Sequence, residues 1–259
     1  MTKQEIKDIL DKAYDLYDRR TFIENDPISI PHQFSKKQDI EIAGLWTALL
    51  SWGLRKTIIN KSNELMNLMD HAPYDFIINH RETDRQRFQN FKHRTFQYTD
   101  TLYFLTFFQY WYKHHDSLEN AFTDGMSKAD AHVGNGIIHF EKQFRSLDSF
   151  PSRTQKHVAS PLRKSTCKRL NMFLRWMVRK DRRKVDFGIW KKINPSQLLI
   201  PYDVHVDRVA RSLGIIDRKQ KDWETVIELS TFLKTLDVRD PVKYDYALFG
   251  IGVLDNKKT

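Results

Sequence analysis

The stretch Ile200-Pro201-Tyr202-Asp203-Val204-His205-Val206-Asp207-Arg208-Val209-Ala210-Arg211-Ser212-Leu213-Gly214 carries the clearest local signals in the chain. Pro201 blocks any helix that would run in from the preceding residues. Asp203 has a residue type preferred at helix N-caps, where its carboxylate accepts bonds from the first free N–H groups. Gly214 is the usual residue just past a helix end. One apolar face recurs at helical spacing: Val206, Val209, Ala210 and Leu213. The stretch therefore predicts a short helix with Asp203 at its N-terminus.

The pattern apolar-Pro-x-Asp-x-His-apolar-x-Arg, from Ile200 to Arg208, resembles the signature of the helix-hairpin-helix DNA glycosylases. That superfamily includes endonuclease III and the 8-oxoguanine glycosylases. The Asp of the motif is their catalytic carboxylate, and the match falls on Asp203. His205 occupies the companion position, and the resemblance implies that His205 and Arg208 face the DNA. The simpler interpretation is that Asp203 only caps a helix.

Composition limits the classes of protein to consider. A chain of 259 residues holds one large domain or two small subdomains. Its single cysteine, Cys167, excludes disulfides within the chain and a cysteine-based metal cluster. No apolar run approaches the ~20 residues that span a membrane, and no stretch resembles a signal peptide. We therefore expect a cytoplasmic protein with no metal, no cofactor and no membrane partner.

The formal net charge is +10, and it is concentrated in one segment. Residues 163–192 contain twelve Lys or Arg and only two acids, so this segment holds the whole excess. A concentrated basic block favours a polyanionic partner. The alternative is a solvated basic face.

Lys168 lies in a basic and amphipathic stretch, residues 160–179. Ser165 is a candidate N-cap, which puts Lys168 at the third helical position. The positive end of the helix dipole and the many neighbouring cations both disfavour an ammonium group there. They favour the neutral amine that a Schiff-base nucleophile requires. A phosphate-binding lysine is the alternative interpretation.

The same stretch resembles the start of the second hairpin helix in the glycosylases. Bifunctional members carry a nucleophilic lysine in its first turn, and Lys168 matches that position. The usual hairpin glycines are missing, and residues 160–163 (Ser-Pro-Leu-Arg) replace them. The resemblance implies that cations on this segment hold the DNA backbone: Arg163, Lys164, Arg169 and Arg175.

Two segments nearer the N-terminus have a composition suited to DNA. Residues 44–57 resemble the apolar helix and following turn that line the DNA-facing cleft of the glycosylases, with Trp46 in the core. Residues 91–96 alternate cationic and aromatic side chains, which suits phosphate contacts and base stacking. An alternative for 91–96 is a loop whose two Phe side chains anchor it in the core. The candidate DNA contacts are Ser51, Trp52, Arg55, His93, Arg94 and Phe96.

As a whole the chain is similar to the bacterial family named domain of unknown function 2400. The resemblance rests on residues 26–31, 91–96 and 167–179 and on the Asp203 motif. Strand signals are few, so we expect an all-α fold. The glycosylase architecture implies two helical subdomains around a cleft. Residues 36–196 would form a helical barrel that carries Lys168, and residues 1–35 plus 197–259 would form the second subdomain with Asp203.

The resemblance implies base excision from double-stranded DNA whose damaged base is flipped out of the helix. No iron–sulfur loop follows the motif, so the chain is more similar to the 8-oxoguanine branch, and we expect an oxidised base as substrate. Asp203 would stabilise the charge that develops on the sugar, and Lys168 would form a Schiff base and act as an AP lyase. We expect a monomer in the bacterial cytoplasm. Two alternatives are a catalytically silent DNA- or RNA-binding protein of this fold and a helical module that binds an acidic protein.

Overall fold

Residues 1–255 are described by the computed structural model, with side chains as far as Val253. Across this range every regular element is a helix, so the predicted all-α class is confirmed. Two residues, His93 and Phe96, form an isolated antiparallel bridge, which is too short to make a strand. Residues 256–259 of the predicted second subdomain lie outside the described range.

Twelve α-helices lie within residues 1–255. They are α1 Lys3–Tyr17, α2 Arg20–Ile23, α3 Lys37–Leu50, α4 Arg55–Leu68, α5 Pro73–Asn79, α6 Tyr98–His114, α7 Glu119–Thr123, α8 Gly134–Phe144, α9 Lys168–Val178, α10 Val204–Ser212, α11 Trp223–Leu236 and α12 Tyr244–Asp255. Short 3-10 helices connect them at Pro27–Ser29, Pro31–Gln33, Glu82–Phe88, Ser152–His157, Pro161–Arg163, Pro195–Gln197 and Pro241–Lys243.

The helices group into two compact units. Unit 1 comprises residues 1–23, 128–134 and 160–259, and unit 2 comprises residues 24–127 and 135–159. Residues 160–196 were predicted to belong to the 36–196 barrel. In the structure that segment belongs to the same unit as the Asp203 motif. The physical reason is a set of buried ion pairs, described below, that attach α9 to the C-terminal helix.

Unit 2 is built around α3. Every side chain of α3 from Ile40 to Leu50 is buried, and α4 and α5 pack against this helix. Trp46 stacks on Phe104 of α6 with ring centroids 5.8 Å apart, so the prediction that Trp46 is a core residue is confirmed. A helix that is apolar all round must be covered on most sides, and Phe104 and Phe108 of α6 supply part of that cover through their contacts with Trp46.

In unit 1, α1 and α10 both pack against α12. Two glycines of α12 permit the close approach. A Cβ at Gly250 would lie 2.1 Å from Cδ2 of Tyr17 on α1, and a Cβ at Gly252 would lie 2.9 Å from Cβ of His205 on α10. The absence of a Cβ at both positions therefore allows α1 and α10 to lie this close to α12.

Arg179, at the C-terminal end of α9, is the centre of the buried ion pairs. It is 1 % exposed. Its Nε lies 2.9 Å from Oδ2 of Asp240, and its Nη1 lies 3.0 Å from Oδ2 of Asp186. Its Nη2 donates to the Tyr14 hydroxyl of α1 at 2.7 Å and lies 3.5 Å from Oδ2 of Asp18. Burial alone would lower the pKa of Arg179, but Asp186 and Asp240 raise it above the usual value.

Arg175, one turn earlier on α9, extends this set of ion pairs. It is 4 % exposed. One guanidinium nitrogen pairs with Asp245 of α12, and Nε lies 3.3 Å from Oδ1 of Asp186. The guanidinium carbon also lies 4.2 Å from the centre of the Tyr246 ring. Together the two arginines connect α9 to α1, to the loop after α9 and to the start of α12.

The substitution Arg179→Met keeps much of the side-chain volume and removes the charge. It should lower the free energy of unfolding by about 3–5 kcal/mol. Asp240 would lose its cation, while Asp186 would keep only Arg175 and Asp18 only Arg183. Urea unfolding followed by circular dichroism measures this. The matched control is Arg182→Met, since Arg182 is exposed, and its change should stay within about 0.5 kcal/mol. Equal losses for the two variants would contradict the assigned role.

Candidate functional site

Asp203 is the N-cap residue of α10, as the sequence predicts. Its Oδ1 accepts hydrogen bonds from the backbone N–H of His205 at 2.9 Å and of Val206 at 3.0 Å. The side chain is half-buried. Its second oxygen, Oδ2, accepts no hydrogen bond and joins no ion pair from residues 1–253. Capping therefore uses one carboxylate oxygen and leaves the other available to a ligand.

Lys168 is the first residue of α9, which corrects the predicted third position. The residue before it, Cys167, has a left-handed backbone with φ of 49°, so the helix cannot extend back to Ser165. Instead of capping α9, the Ser165 hydroxyl accepts a hydrogen bond from the Cys167 N–H at 3.2 Å. The Lys168 ammonium is half-buried and contacts the Met172 sulfur at 3.6 Å. The predicted place of Lys168 in the first turn is confirmed.

Asp245, in the first turn of α12, is buried and pairs with Arg175 of α9. Burial raises its pKa to about 6, against the pull of Arg175, and the negative charge of Asp203 raises it further. The charge of Lys168 acts in the opposite direction. Lys168 and Asp203 therefore both act on the charge of Asp245, and all three residues belong to unit 1.

The charges around this site differ from those that the sequence suggests. A neutral Lys168 was predicted in part from the cations that neighbour it in the sequence. In the structure Arg175 and Arg179 turn towards Asp186, Asp240 and Asp245, which neutralise them. The cation argument for Lys168 is therefore not supported. Arg175 was also predicted to hold DNA, but this is corrected, because its side chain is buried among carboxylates.

The other predicted cations of unit 1 have different environments. Arg163 and Lys164 are exposed on the turn before α9. Lys164 adopts a left-handed conformation with φ of 56°, and its carbonyl accepts a hydrogen bond from the N–H of Trp223 at 3.2 Å. Arg169 is half-buried, and desolvation lowers its pKa. Arg208 is exposed, and its guanidinium donates to the Gly252 carbonyl. Arg163 and Lys164 are therefore the best placed of these cations to contact a polyanion.

His205 serves the packing of α10 on α12. Its ring meets the edge of Phe249 with centroids 5.6 Å apart, and its backbone lies against Gly252. Nδ1 is buried and makes no hydrogen bond within the described structure. The predicted DNA contact of His205 stays a prediction, while its contact with α12 explains how the Asp203 motif is held in place.

Four of the six predicted DNA contacts of unit 2 are exposed or half-buried. The Arg94 guanidinium stacks on the half-buried Trp52 ring at 4.5 Å, with Gly53 directly beneath it. Ser51 donates its hydroxyl to the Thr47 carbonyl at 2.8 Å, which holds this side chain on its own helix. Arg55 is the half-buried first residue of α4.

The remaining two residues of that group are buried. Phe96 is 1 % exposed and packs against Phe104 and His157. His93 is 3 % exposed, and a ring nitrogen lies 3.3 Å from the Trp52 carbonyl. Phe96 cannot stack on a base from this position, so that prediction is corrected in favour of the core-anchor alternative. Aromatic side chains bury a large apolar area, which explains why Phe96 packs in the core.

The roles of Asp245 and Asp186, which both pair with Arg175, were not predicted from the sequence. One signal was present: Asp245 is an isolated acid at the start of the apolar run 244–254. A carboxylate on an apolar helix has to find a cation or lose its charge. The identity of that cation, seventy residues away in the sequence, depends on the fold.

Two kinds of site are not found in the part of the chain that the structure describes. No group of three or more His, Cys, Asp or Glu side chains is arranged to hold a metal ion. No helix between residues 1 and 255 is long and apolar enough to cross a membrane.

The chain belongs to the DUF2400 family, whose description is "protein of unknown function". The family model matches residues 26–254, which include Lys168, Asp203 and Asp245. No curated protein and no solved structure matches the chain.

The titration of Asp245 should be visible in the pH dependence of stability. Its folded-state pKa, about 6, exceeds the usual 3.8 of an Asp. The stability contributed by protonated Asp245 is therefore present at low pH and is lost as the pH rises from about 4 through 6. Across that range, the free energy of unfolding should fall by about 2–3 kcal/mol more in the wild type than in Asp245→Asn. Urea titrations at several pH values measure the difference, and parallel curves for the two proteins would contradict it.

Proposed function

We propose that the protein is a DNA glycosylase of the helix-hairpin-helix type, which removes an oxidised base and then acts as an AP lyase. The observation that carries the proposal is that Lys168 and Asp203 lie in one unit, at the starts of α9 and α10, and that neither side chain makes an ion pair within residues 1–253. These are the two residues that match the catalytic carboxylate and the nucleophilic lysine of that superfamily. They come from segments 35 residues apart and start two different helices.

The chemistry follows from the two side chains. As the bond between sugar and base breaks, the base leaves with the bonding electrons and positive charge develops on the sugar. The unpaired oxygen of Asp203 stabilises this charge. The neutral amine of Lys168 forms a bond to C1′ of the sugar, loses its protons and gives a Schiff base after ring opening. Loss of a proton from C2′ then expels the 3′ phosphate and cuts the strand.

The turn before α9 supports binding of the DNA backbone. The N-cap residue of α9 makes no side-chain hydrogen bond to the first N–H groups of the helix. These N–H groups need another acceptor. Helix N-termini attract phosphate through these groups and the helix dipole. Arg163 and Lys164 are exposed beside this end. These two side chains supply positive charge for the phosphates. In a hairpin with glycines, closer contacts between backbone and phosphate would add to that charge.

A silent nucleic-acid-binding protein of the same fold is the second candidate. The observation that favours it is the replacement of the hairpin glycines by residues 160–163. Lys164 adopts the left-handed conformation that glycine would adopt more easily. Such a protein would bind DNA or RNA through Arg163 and Lys164 without turnover.

Borohydride trapping distinguishes the two candidates. Purified protein should form a covalent adduct with duplexes that carry 8-oxoguanine or an abasic site, because borohydride reduces the Schiff base. The adduct should be lost in Lys168→Ala and reduced by about 100-fold or more in Asp203→Asn, where the charge stabilisation is missing. Lys219→Ala is the control, since this exposed lysine lies outside the site.

The outcomes separate three mechanisms. Base release without an adduct, abolished in Asp203→Asn, would indicate a monofunctional glycosylase in which water is the nucleophile. An adduct that persists in Lys168→Ala would transfer the nucleophile to another amine. Absence of both adduct and base release would contradict the glycosylase and leave the silent binder as the better account.

The role of the exposed turn can be measured by the salt dependence of binding. The double substitution Arg163→Ala/Lys164→Ala should reduce the slope of log K against log salt by about 2, one for each lost phosphate contact. Fluorescence anisotropy with an undamaged duplex gives this slope. Lys219→Ala should leave it unchanged. An unaltered slope in the double variant would show that DNA is bound elsewhere.

A further inference from the structure

Arg94 occupies the corner of a tight hairpin, at a position that favours glycine. His93 and Phe96 exchange two backbone hydrogen bonds, each 2.9 Å long, so Arg94 and Thr95 form a two-residue turn between them. Arg94 is the first residue of the turn and has φ of 55°. Tight hairpin turns require a positive φ at this position, and glycine, asparagine and aspartate predominate there. An arginine with this backbone is strained, so the turn itself does not favour this residue type.

The turn is held in place by side chains on both sides of it. The buried His93 ring has a nitrogen 3.3 Å from the Trp52 carbonyl, and burial lowers the pKa of this histidine, so the ring is neutral near pH 7. On the other side, Nη2 of Arg153 donates to the Thr95 carbonyl at 3.3 Å. The backbone that carries Arg94 is therefore fixed beside Trp52.

The Arg94 side chain stacks on Trp52 and has no other partner within the described structure. Its guanidinium carbon lies 4.5 Å from the centre of the Trp52 ring. A Cβ at Gly53 would lie 2.9 Å from Nη1, so glycine at 53 leaves room for the guanidinium. Arg94 is exposed and makes no side-chain hydrogen bond or ion pair within residues 1–253. Stacking uses the faces of a guanidinium and leaves its edge, with five N–H donors, available to a ligand.

Positive charge is concentrated around this turn, although unit 2 as a whole is neutral. Unit 2 contains fifteen Lys or Arg and fifteen Asp or Glu. Residues 51–63 contain three cations and residues 85–99 contain four, and neither segment contains an acid. Lys56 and Lys92 are exposed in these segments. A local excess of positive charge on a neutral unit favours a polyanionic ligand at this place.

We propose that Arg94 binds a pair of adjacent acceptor atoms on DNA with the edge of its guanidinium, and that Trp52 holds the guanidinium ready for this contact. Two groups of DNA offer such a pair: the oxygens of a backbone phosphate, and O6 with N7 of guanine. The inference rests on the proposed function for the identity of the polymer. It gives unit 2 a DNA contact in addition to the turn before α9 in unit 1. This contact accounts for an arginine at a position that favours glycine.

The substitution Arg94→Gly separates binding from stability, because it gives the corner the residue type that its backbone favours. The melting temperature should stay within about 3 °C of the wild type or rise. The affinity for a short undamaged duplex, measured by fluorescence anisotropy, should fall about 10-fold, as the loss of one bidentate contact predicts. The matched control is Lys184→Gly, which replaces another exposed basic residue with a positive φ, 59°. It should leave the affinity unchanged.

The variant Arg94→Lys tests the use of the planar edge. It keeps the positive charge and removes the two parallel donors, so it should bind the duplex about 3-fold more weakly than the wild type. Full wild-type affinity in Arg94→Lys would show that charge alone matters. Unchanged affinity in Arg94→Gly would show that the stack on Trp52 serves the fold. Either result overturns the proposal.

Two duplexes identify the acceptor group. A loss of affinity by Arg94→Gly on both an all-A·T duplex and a guanine-containing duplex, with the slope of log K against log salt lower by about 1, assigns the contact to a phosphate. A loss confined to the guanine-containing duplex assigns it to the guanine edge. Both results support the proposal.

A measurement on the unmodified protein keeps the proposal testable if the variants do not fold. Phenylglyoxal modifies accessible arginines, and mass spectrometry locates the modified residues. With about 80 % of the protein bound to duplex DNA, Arg94 should be modified about 5-fold more slowly than in free protein. Arg81, which is exposed in unit 2, is the control and should not change. Equal modification of Arg94 with and without DNA would overturn the proposal.

Borohydride trapping separates this proposal from the glycosylase. Weaker binding by Arg94→Gly, with neither adduct nor base release by the wild type, supports the role of Arg94 and contradicts the glycosylase. Trapping by the wild type, with equal duplex affinity in Arg94→Gly, supports the glycosylase and contradicts the role of Arg94. A wild-type protein that binds no DNA contradicts both.

Discussion

The structure of unit 1 depends on the pairing of two buried arginines with carboxylates from four separate segments. Removing Arg175 and Arg179 from water carries a large desolvation cost, which is offset only when each guanidinium finds several well-placed anions. Arg179 finds Asp18, Asp186 and Asp240, and Arg175 finds Asp186 and Asp245. These pairs fix where α9 lies relative to α1 and α12. The position of Lys168, at the start of α9, follows from them.

The same pairing changes the meaning of the net charge. The sequence assigns the whole excess of +10 to residues 163–192 and treats them as one basic block. In the structure the block divides. Its middle, at Arg175 and Arg179, is internal and neutralised, and its start, at Arg163 and Lys164, is exposed. The local excess remains positive, but a polyanion would meet fewer charges than a count along the sequence suggests.

Local signals predicted the structure best. The helix that starts at Asp203 was predicted because the proline, the cap residue, the apolar face and the terminal glycine all lie within fifteen residues. The start of α9 was placed wrongly because tertiary contacts decide it. The Trp223 N–H bonds the Lys164 carbonyl, and Cys167 is left-handed, so Ser165 cannot cap the helix. Phe96 was assigned to DNA from an alternating pattern that a surface loop and a core anchor share.

Asp203, Lys168 and Asp245 all stand where a helix begins. Asp203 caps α10, Lys168 opens α9, and Asp245 is the second residue of α12. The positive end of each helix dipole favours the two carboxylates and disfavours the ammonium. Asp245 is compensated further by its ion pair with Arg175, and Asp203 by the two N–H groups that it caps. The Lys168 ammonium contacts the Met172 sulfur and makes no ion pair within residues 1–253, so its charge is the least compensated of the three.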